Sequence, residues 1–445
     1  MMGKSMYSIE DFSAFLGNGD ADEKYKYVGV KFNPFPRSGT ANINDNDIHN
    51  SYLRPLDPEV KRRILTFVAN ALTTNSNNPA DKFQSCVVLG DYGAGKTQLL
   101  MYIKAWLRMV ADNPNYVARP YVIYIDNPGV SLLEFIGSII AKIGEENLRK
   151  YLWKNILDVI SNNEDYKRLL KQYLSGYQEM GLDNVRSYNP YAEENRVSYK
   201  KFLDTFVNQI NFKEKRKRFD EDFQRILLEI LNKSIQDQTV SYYFYEFISS
   251  DYGVNKTWEG LTNGSLKSLN RKEAKVIKYL VQLVKEQGYS DFFILVDEFE
   301  DVTLGRLTKA QIDNYIYNLR TLLDEQREWT LFFSMNPIAF KKLRSVSPPL
   351  ADRISAETVW VTPVNNMLGH TLIENYMSLC DVQGIGPFTD EAIEALQDIT
   401  EGNARRFLVY CFQLIEDAAR EFDSEDKQID ADFVKTHCKP EDVVL

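Results

Sequence analysis

The segment at residues 90–97, Gly-Asp-Tyr-Gly-Ala-Gly-Lys-Thr, constrains the fold of this 445-residue chain more than any other feature. A short apolar run at residues 85–89 precedes it, and a helical pattern at residues 97–110 follows it. Glycines let consecutive backbone N–H groups turn toward one anion, and a helix that starts there adds the positive end of its dipole. The pattern therefore predicts a phosphate-binding loop between a buried strand and a helix.

A nucleoside triphosphate and a magnesium ion are the ligands that this loop predicts. Lys96 would reach the β- and γ-phosphates, and the hydroxyl of Thr97 would ligate Mg²⁺. We expect ATP to contact nine consecutive residues, namely Gly90, Asp91, Tyr92, Gly93, Ala94, Gly95, Lys96, Thr97 and Gln98. The alternative is a glycine turn that only joins a strand to a helix.

A second apolar run, at residues 292–296, ends in the acidic pair Asp297 and Glu298. Ligands of open α/β sheets bind at the carboxyl ends of the strands, where this pair would lie. We expect Asp297 to hold Mg²⁺, mostly through water, and Glu298 to orient and polarise the water that attacks ATP. The alternative is a carboxylate that only caps a loop, and it is less favoured because the phosphate loop is also present.

The apolar runs alternate with helical patterns, which indicates an α/β fold with a parallel five-stranded sheet. Residues 127–290 differ from the rest, being polar, tyrosine-rich and mostly helical in pattern, and they predict a large helical insertion. The predicted division is an N-terminal arm (1–56), a core in two parts (57–126 and 291–363), the insertion (127–290) and a C-terminal helical lid (364–445).

Composition limits the other function classes. The four cysteines form no CxxC pair and there are three histidines, so we expect no zinc site. Residues 1–15 lack the long apolar run of a signal peptide, and no stretch approaches the length of a membrane span. We therefore expect a cytoplasmic protein without a membrane partner.

The formal net charge of −10 argues against a chain coated in nucleic acid, but it leaves room for a local basic face. The densest basic run is at residues 213–218, Lys-Glu-Lys-Arg-Lys-Arg, with Lys200 and Lys201 nearby in sequence. One interpretation is a patch that contacts phosphates of DNA. The other is a solvated helix face, balanced by the acids at residues 220–222, with Phe212 and Phe219 turned toward the core.

Further polar residues make the chain resemble the AAA+ ATPases. In that class a polar residue after the fourth strand senses the γ-phosphate, and Asn336 occupies this place after residues 330–334. The resemblance implies that Asn336 holds the attacking water and a phosphate oxygen. The alternative is an asparagine that forms a turn before Pro337.

Arg353 closes the sequence Ser-Pro-Pro-Leu-Ala-Asp-Arg, which resembles the arginine-finger position of origin-recognition-complex-like initiators. The resemblance implies that Arg353 reaches the γ-phosphate held by a neighbouring copy, so that the chain forms a homo-oligomer. The alternative is a surface arginine paired with Asp352.

Residues 401–406, Glu-Gly-Asn-Ala-Arg-Arg, are similar to the Gly-Asp-x-Arg of the same clade, whose arginine contacts the nucleotide in cis from the lid. Arg405 is the better match and Arg406 the second, while Asn403 replaces the usual acid and can still cap the helix. Asn-Pro-Phe-Pro at residues 33–36 resembles the adenine-side arm of transposition and secretion ATPases.

The long separation between Lys96 and Asp297, 297 − 96 = 201 residues, is larger than a compact AAA+ core needs. Together with residues 257–261, 274–285, 288–293 and 312–323, it resembles the ATP-binding proteins of BREX-type phage-defence loci. The resemblance implies an ATPase that switches or remodels a DNA-associated complex in anti-phage defence or mobile-element control.

Two alternatives stay open. One is an ATP-gated oligomeric adaptor or scaffold that hydrolyses slowly and holds an effector protein. The other is a replication initiator or helicase loader, against which we weigh the lack of room after the lid for a winged helix.

Overall fold

The computed structural model describes residues 24–39, 55–73, 84–174, 189–210, 212–250, 253, 272–305 and 307–439. The segment at residues 257–261, which contributed to the resemblance with phage-defence proteins, lies outside the described residues. So do residues 1–23 and 40–54 of the predicted arm.

Contacts divide the chain into two compact units. The first comprises Met1–Leu65, Leu89–Ala105 and Val359–Leu445, and the second comprises Thr66–Val88 and Trp106–Thr358. The predicted division into five segments stays a prediction.

Five strands form one parallel sheet in the order β2-β3-β4-β1-β5. Their bounds are Gln84–Leu89 (β1), Pro120–Ile125 (β2), Asp291–Val296 (β3), Thr330–Met335 (β4) and Glu357–Trp360 (β5). β2 pairs with β3 from Pro120 opposite Asp291 to Ile125 opposite Val296. The predicted apolar runs at residues 85–89, 292–296 and 330–334 match β1, β3 and β4 to within one residue at each end, and the predicted α/β class with a parallel sheet is confirmed.

The burial of the central strands explains why their sequences are apolar along their whole length. All six residues of β4 are buried, and so are five of the six in β3. Because both faces of a parallel sheet are covered by helices, its strands are apolar throughout rather than on alternate residues. The two polar residues of β4, Thr330 and Ser334, are also buried.

The helices up to β3 include most of the predicted insertion. Their bounds are Pro58–Thr73 (α1), Lys96–Asp112 (α2), Leu132–Ile143 (α3), Glu145–Asn162 (α4), Glu164–Leu174 (α5), Tyr199–Asn208 (α6), Lys213–Ile235 (α7), Gln238–Ser249 (α8) and Lys272–Lys285 (α9).

Stacked aromatic rings hold α6 against α7. The rings of Phe206 and Phe219 lie 4.6 Å apart, and those of Phe202 and Phe223 lie 5.6 Å apart. The expectation for Phe219 is confirmed, since it is fully buried. The expectation for Phe212 is wrong, because this side chain is 55% exposed at the residue before α7 begins.

The helices after β3 end in the predicted C-terminal bundle. Their bounds are Glu300–Leu304 (α10), Lys309–Glu325 (α11), Pro337–Val346 (α12), Pro348–Ile354 (α13), Asn366–Met377 (α14), Asp390–Thr400 (α15), Ala404–Glu421 (α16) and Ala431–His437 (α17).

Residues of the N-terminal arm complete the apolar core of this bundle. Val28 and Phe35 are buried there, and the Phe35 ring lies 5.3 Å from Tyr376 and 6.0 Å from Phe388. Asn33 donates to the Phe412 carbonyl at 2.9 Å. Within the described parts of the chain, no helix is long and apolar enough to cross a membrane.

Candidate functional site

The predicted phosphate loop turns sharply between β1 and α2. Gly93 and Gly95 have φ angles of 74° and 98°, in the left-handed region that residues with a Cβ rarely adopt. α2 begins at Lys96, so the first N–H groups of the helix follow the loop directly. The buried Lys96 donates from Nζ to the carbonyls of Gly90 at 3.1 Å and Asp91 at 3.3 Å. The ammonium group is thus held inside the curve of the loop.

The start of α16 bonds directly to the phosphate loop. Asn403 donates from Nδ2 to the Tyr92 carbonyl at 2.7 Å, and the Arg405 backbone N–H donates to the Gly93 carbonyl at 3.2 Å. Arg405 also donates from Nη1 to the Tyr92 hydroxyl at 2.8 Å, with its guanidinium 5.4 Å from the ring centre. The geometry therefore brings Arg405, of the two candidate arginines, to the loop.

Gly93 lies close to the start of α16. A Cβ at this position would lie 2.6 Å from Asn403 Oδ1 and 3.1 Å from Arg405 Cβ. Asn403 also caps α16, since its Oδ1 accepts from the N–H groups of Arg405 and Arg406 at 3.1 and 3.2 Å. Only a residue without a side chain fits between loop and helix, which explains this glycine.

The segment at residues 33–36, which we predict to be an adenine-side arm, contacts the lid. Residues 33–36 pack on the C-terminal bundle, and the Ser38 carbonyl accepts from Arg405 Nε at 3.4 Å. A small apolar cavity of about 20 Å³ does lie beside Gly95, with Leu56, Val361 and Leu368 among its lining residues. The segment before α1, rather than residues 33–36, therefore borders the cavity next to the loop.

In the second unit, Asp297 is fixed by three donors. Tyr124 donates its hydroxyl to Oδ2 at 2.8 Å, Ser334 donates its hydroxyl to Oδ1, and the Glu298 N–H donates to Oδ1 at 3.0 Å. Asp297 is 2% exposed. A carboxylate has about four acceptor positions, so these bonds leave it room for about one more donor. This fits the predicted role, in which Asp297 meets Mg²⁺ through a bound water.

Glu298 adopts an unusual backbone conformation beside this carboxylate. Its φ is 51°, in the left-handed region, and such a conformation costs a residue with a side chain about 1 kcal/mol. Burial raises the pKa of the Glu298 carboxyl, and the negative charges of Asp297 and Asp301 raise it further. Strain and a shifted pKa at one residue are typical of functional sites.

Asn336 satisfies both interpretations of its position. It directly follows β4 and caps α12, because its Oδ1 accepts from the Ala339 N–H at 2.7 Å. The amide nitrogen has no hydrogen-bond partner among the described residues, so a donor stays available at the end of the strand. Capping therefore does not exclude the predicted contact with phosphate.

Arg353 forms its ion pair with Asp324, and not with Asp352 as the alternative interpretation expected. The guanidinium bonds both oxygens of Asp324, with Nη2 to Oδ2 at 3.0 Å, and donates from Nη1 to the Pro349 carbonyl at 2.8 Å. Arg320 also lies within 4.0 Å of Asp324. The bidentate pair holds Arg353 in a defined orientation.

Sequence reasoning missed Tyr124, Ser334 and Asp324. Tyr124 and Ser334 carried a signal, because each places a hydroxyl in a mostly apolar strand, where a buried polar group needs a partner. Asp324 carried no comparable signal, since an acid near the end of a helix is ordinary.

No family model matches this sequence, and no curated protein is similar to it in sequence. Among solved structures, the chain is similar to the ORC1 protein of Aeropyrum pernix, which was determined in complex with DNA. The two share 12% sequence identity with a TM-score of 0.41. The match covers 87% of this chain and 66% of that one, so this chain spans less than two thirds of the length of its relative.

Proposed function

We propose that this chain is an AAA+ ATPase that binds ATP with Mg²⁺, hydrolyses it and thereby switches or remodels a DNA-associated complex. The observation that carries the proposal is the phosphate loop, with Gly93 and Gly95 in left-handed conformations and Lys96 at the first position of α2. Lys96 would exchange the Gly90 and Asp91 carbonyls for phosphate oxygens, and the start of α2 would supply backbone N–H groups.

The end of β3 supplies the remaining chemistry of the proposal. Bound Mg²⁺ would neutralise charge on the phosphates, with Thr97 and Asp297 as its holders. Glu298 would orient the attacking water and draw on its proton, and Asn336 would donate to that water or to a phosphate oxygen. Tyr124 and Ser334 would keep Asp297 in place.

The proposal includes self-assembly, because Arg353 would act on ATP held by a second copy. In this role the guanidinium would exchange its bidentate pair with Asp324 for the γ-phosphate of that ATP. The setting, anti-phage defence or mobile-element control, with an effector protein as partner, follows from the sequence resemblance. Cytoplasmic location belongs to the same proposal.

The test measures the ATPase rate per molecule over a range of protein concentrations. We expect the rate to rise with concentration for the natural chain and to stay low for Arg353→Ala, with ATP binding retained. Arg320→Ala is the matched control, since it also removes an arginine from Asp324. A rate that is independent of concentration and unaffected by Arg353→Ala would contradict the role in trans.

The contact between the loop and α16 also favours a second candidate, an ATP-gated adaptor. Occupancy of the loop alone would act on α16 through the bonds of Tyr92 with Asn403 and Arg405, without hydrolysis. Under this candidate, Glu298→Gln keeps or strengthens partner binding and biological activity, while Lys96→Ala abolishes both. If Glu298→Gln forms the complex but is inactive, turnover is required and the adaptor function fails.

A further inference from the structure

The first six residues of α7 form an exposed basic surface, which we call the basic end. Residues 213–218 are all exposed, and they hold five cations and one acid, a net charge of +4 on a chain whose total is −10. At 1.5 Å per residue the basic end extends over about 9 Å. Apolar burial resumes only at Phe219.

The acids that were expected to balance the basic end do not pair with it. Asp222 accepts from the Tyr173 hydroxyl at 2.5 Å and pairs with Arg225 at 2.7 Å. Among the described residues, none of the five cations has an ion pair, and Arg216 instead donates from Nε to the Ile210 carbonyl at 2.8 Å. The acids at residues 220–222 therefore form no direct ion pair with the basic end among the described residues.

The five cations concentrate positive charge at the start of a helix, where it destabilises the folded chain. Cations at the start of a helix oppose its dipole, and the residue before α7, Phe212, provides no side-chain cap. Lys200 and Lys201 are not part of this surface. The ring pairs Phe202–Phe223 and Phe206–Phe219 show that α6 and α7 run antiparallel, which places those lysines toward the middle of α7.

We propose that the basic end enters the major groove of B-form duplex DNA and contacts the phosphates of both strands. At 3.6 residues per turn, Lys213, Arg216 and Lys217 share one side of the helix, and Lys215 and Arg218 share the opposite side. A helix about 10–12 Å across fits a groove about 12 Å wide, so each side meets one wall.

Other anionic partners fit this surface less well. The major groove of A-form RNA is too narrow for a helix. A helix that binds a membrane surface needs an apolar face, and residues 213–218 contain no apolar side chain. The exposed Phe212 ring lies 5.9 Å from Lys215 Nζ and adds one flat apolar surface at the tip, suited to contact with a base edge.

The inference extends the proposed function, because a DNA-associated ATPase needs a surface that meets DNA. The test therefore uses the full chain without nucleotide, so that its outcome does not depend on ATP binding or turnover. Fluorescence anisotropy of a labelled mixed-sequence DNA duplex is measured from about 50 to 200 mM salt. The test variant carries three glutamines in the basic end, Lys213→Gln, Lys215→Gln and Lys217→Gln.

The matched control makes the same charge change on exposed lysines of the same unit, in α4, α5 and α9: Lys150→Gln, Lys171→Gln and Lys278→Gln. We expect the test variant to bind roughly tenfold or more weakly at 0.1 M salt, with a salt slope lower by about two to three. The control should stay close to the natural chain. Both should keep their melting temperatures, because no buried residue changes.

Three results would overturn the proposal: no binding of the duplex by the natural chain at low salt, equal losses in the two triple variants, or tighter binding of anionic vesicles or duplex RNA than of DNA. Loss of ATPase activity with DNA binding intact would instead concern the proposed function alone.

Discussion

Replacing Asn403 with alanine removes a helix cap and a bond to the phosphate loop in one step. The Asn403 Oδ1 caps α16, and its Nδ2 donates to the Tyr92 carbonyl. Asn365 offers a matched control, because it caps α14 through its Oδ1 to the Leu368 N–H at 2.9 Å and does not bond the loop. A comparison of the two alanine variants separates the cap from the contact with the loop.

The expected magnitudes follow from these bonds. Each alanine variant loses one cap, which lowers the free energy of unfolding by about 1 kcal/mol. Asn403→Ala also releases the backbone at Tyr92, which ATP binding must then order again. Fixing the backbone of one residue costs about 1–2 kcal/mol, so ATP should bind roughly five- to thirtyfold more weakly to Asn403→Ala. ATP affinity should not change in Asn365→Ala.

Isothermal titration calorimetry with ATP and Mg²⁺ measures the affinities, and thermal melting checks that both variants fold. Asn403→Asp extends the test, because it keeps the capping oxygen but cannot donate to the Tyr92 carbonyl. We expect it to melt like the natural chain and still bind ATP weakly. Equal ATP affinities for the alanine variants at Asn403 and Asn365 would refute the idea that the loop depends on this bond.

Three further predictions concern Gly93, Tyr124 and Glu298. Gly93→Ala should lower stability more than Gly29→Ala and should also weaken ATP binding. Both glycines have φ near +75°, but only at Gly93 would a Cβ clash with its neighbours. Equal losses of stability in the two variants would contradict the close approach at Gly93. Tyr124→Phe should raise the Mg²⁺ concentration needed for half-maximal ATPase activity severalfold and lower the melting temperature, because it removes a donor from the buried Asp297 carboxylate. The control is Tyr121→Phe, on the same strand, which should change neither quantity. Glu298→Gln should abolish turnover and be at least as stable as the natural chain at pH 7. Because the folded-state pKa of Glu298 is raised above its ordinary value of 4.5, its charged form lowers stability as pH rises through that pKa. The stability gain of the glutamine variant should therefore disappear below about pH 4.5 in denaturant titrations, and a gain that persists there would contradict the shift.

The sequence by itself determined the strands, the loop and the class of fold. These features depend on neighbouring residues: an apolar run long enough for a buried strand, glycines where the backbone must turn, and a lysine at the start of a helix. The predicted cap at Asn403 is of the same kind, since a cap bonds N–H groups two and three residues ahead. Local spacing was sufficient for each.

Tertiary structure decided which distant groups meet the candidate residues. Tyr124 reaches Asp297 across 173 positions of the chain, and Arg405 reaches Tyr92 across 313. Arg353 pairs with Asp324 rather than with Asp352, its neighbour in sequence, because α11 packs against α13 and brings Asp324 to the guanidinium. The phosphate loop remains the feature on which the proposed ATPase depends, and the folded chain adds that its tip is bonded to the first turn of α16. No pattern of neighbouring residues encodes that bond, because it exists only once loop and helix are packed together.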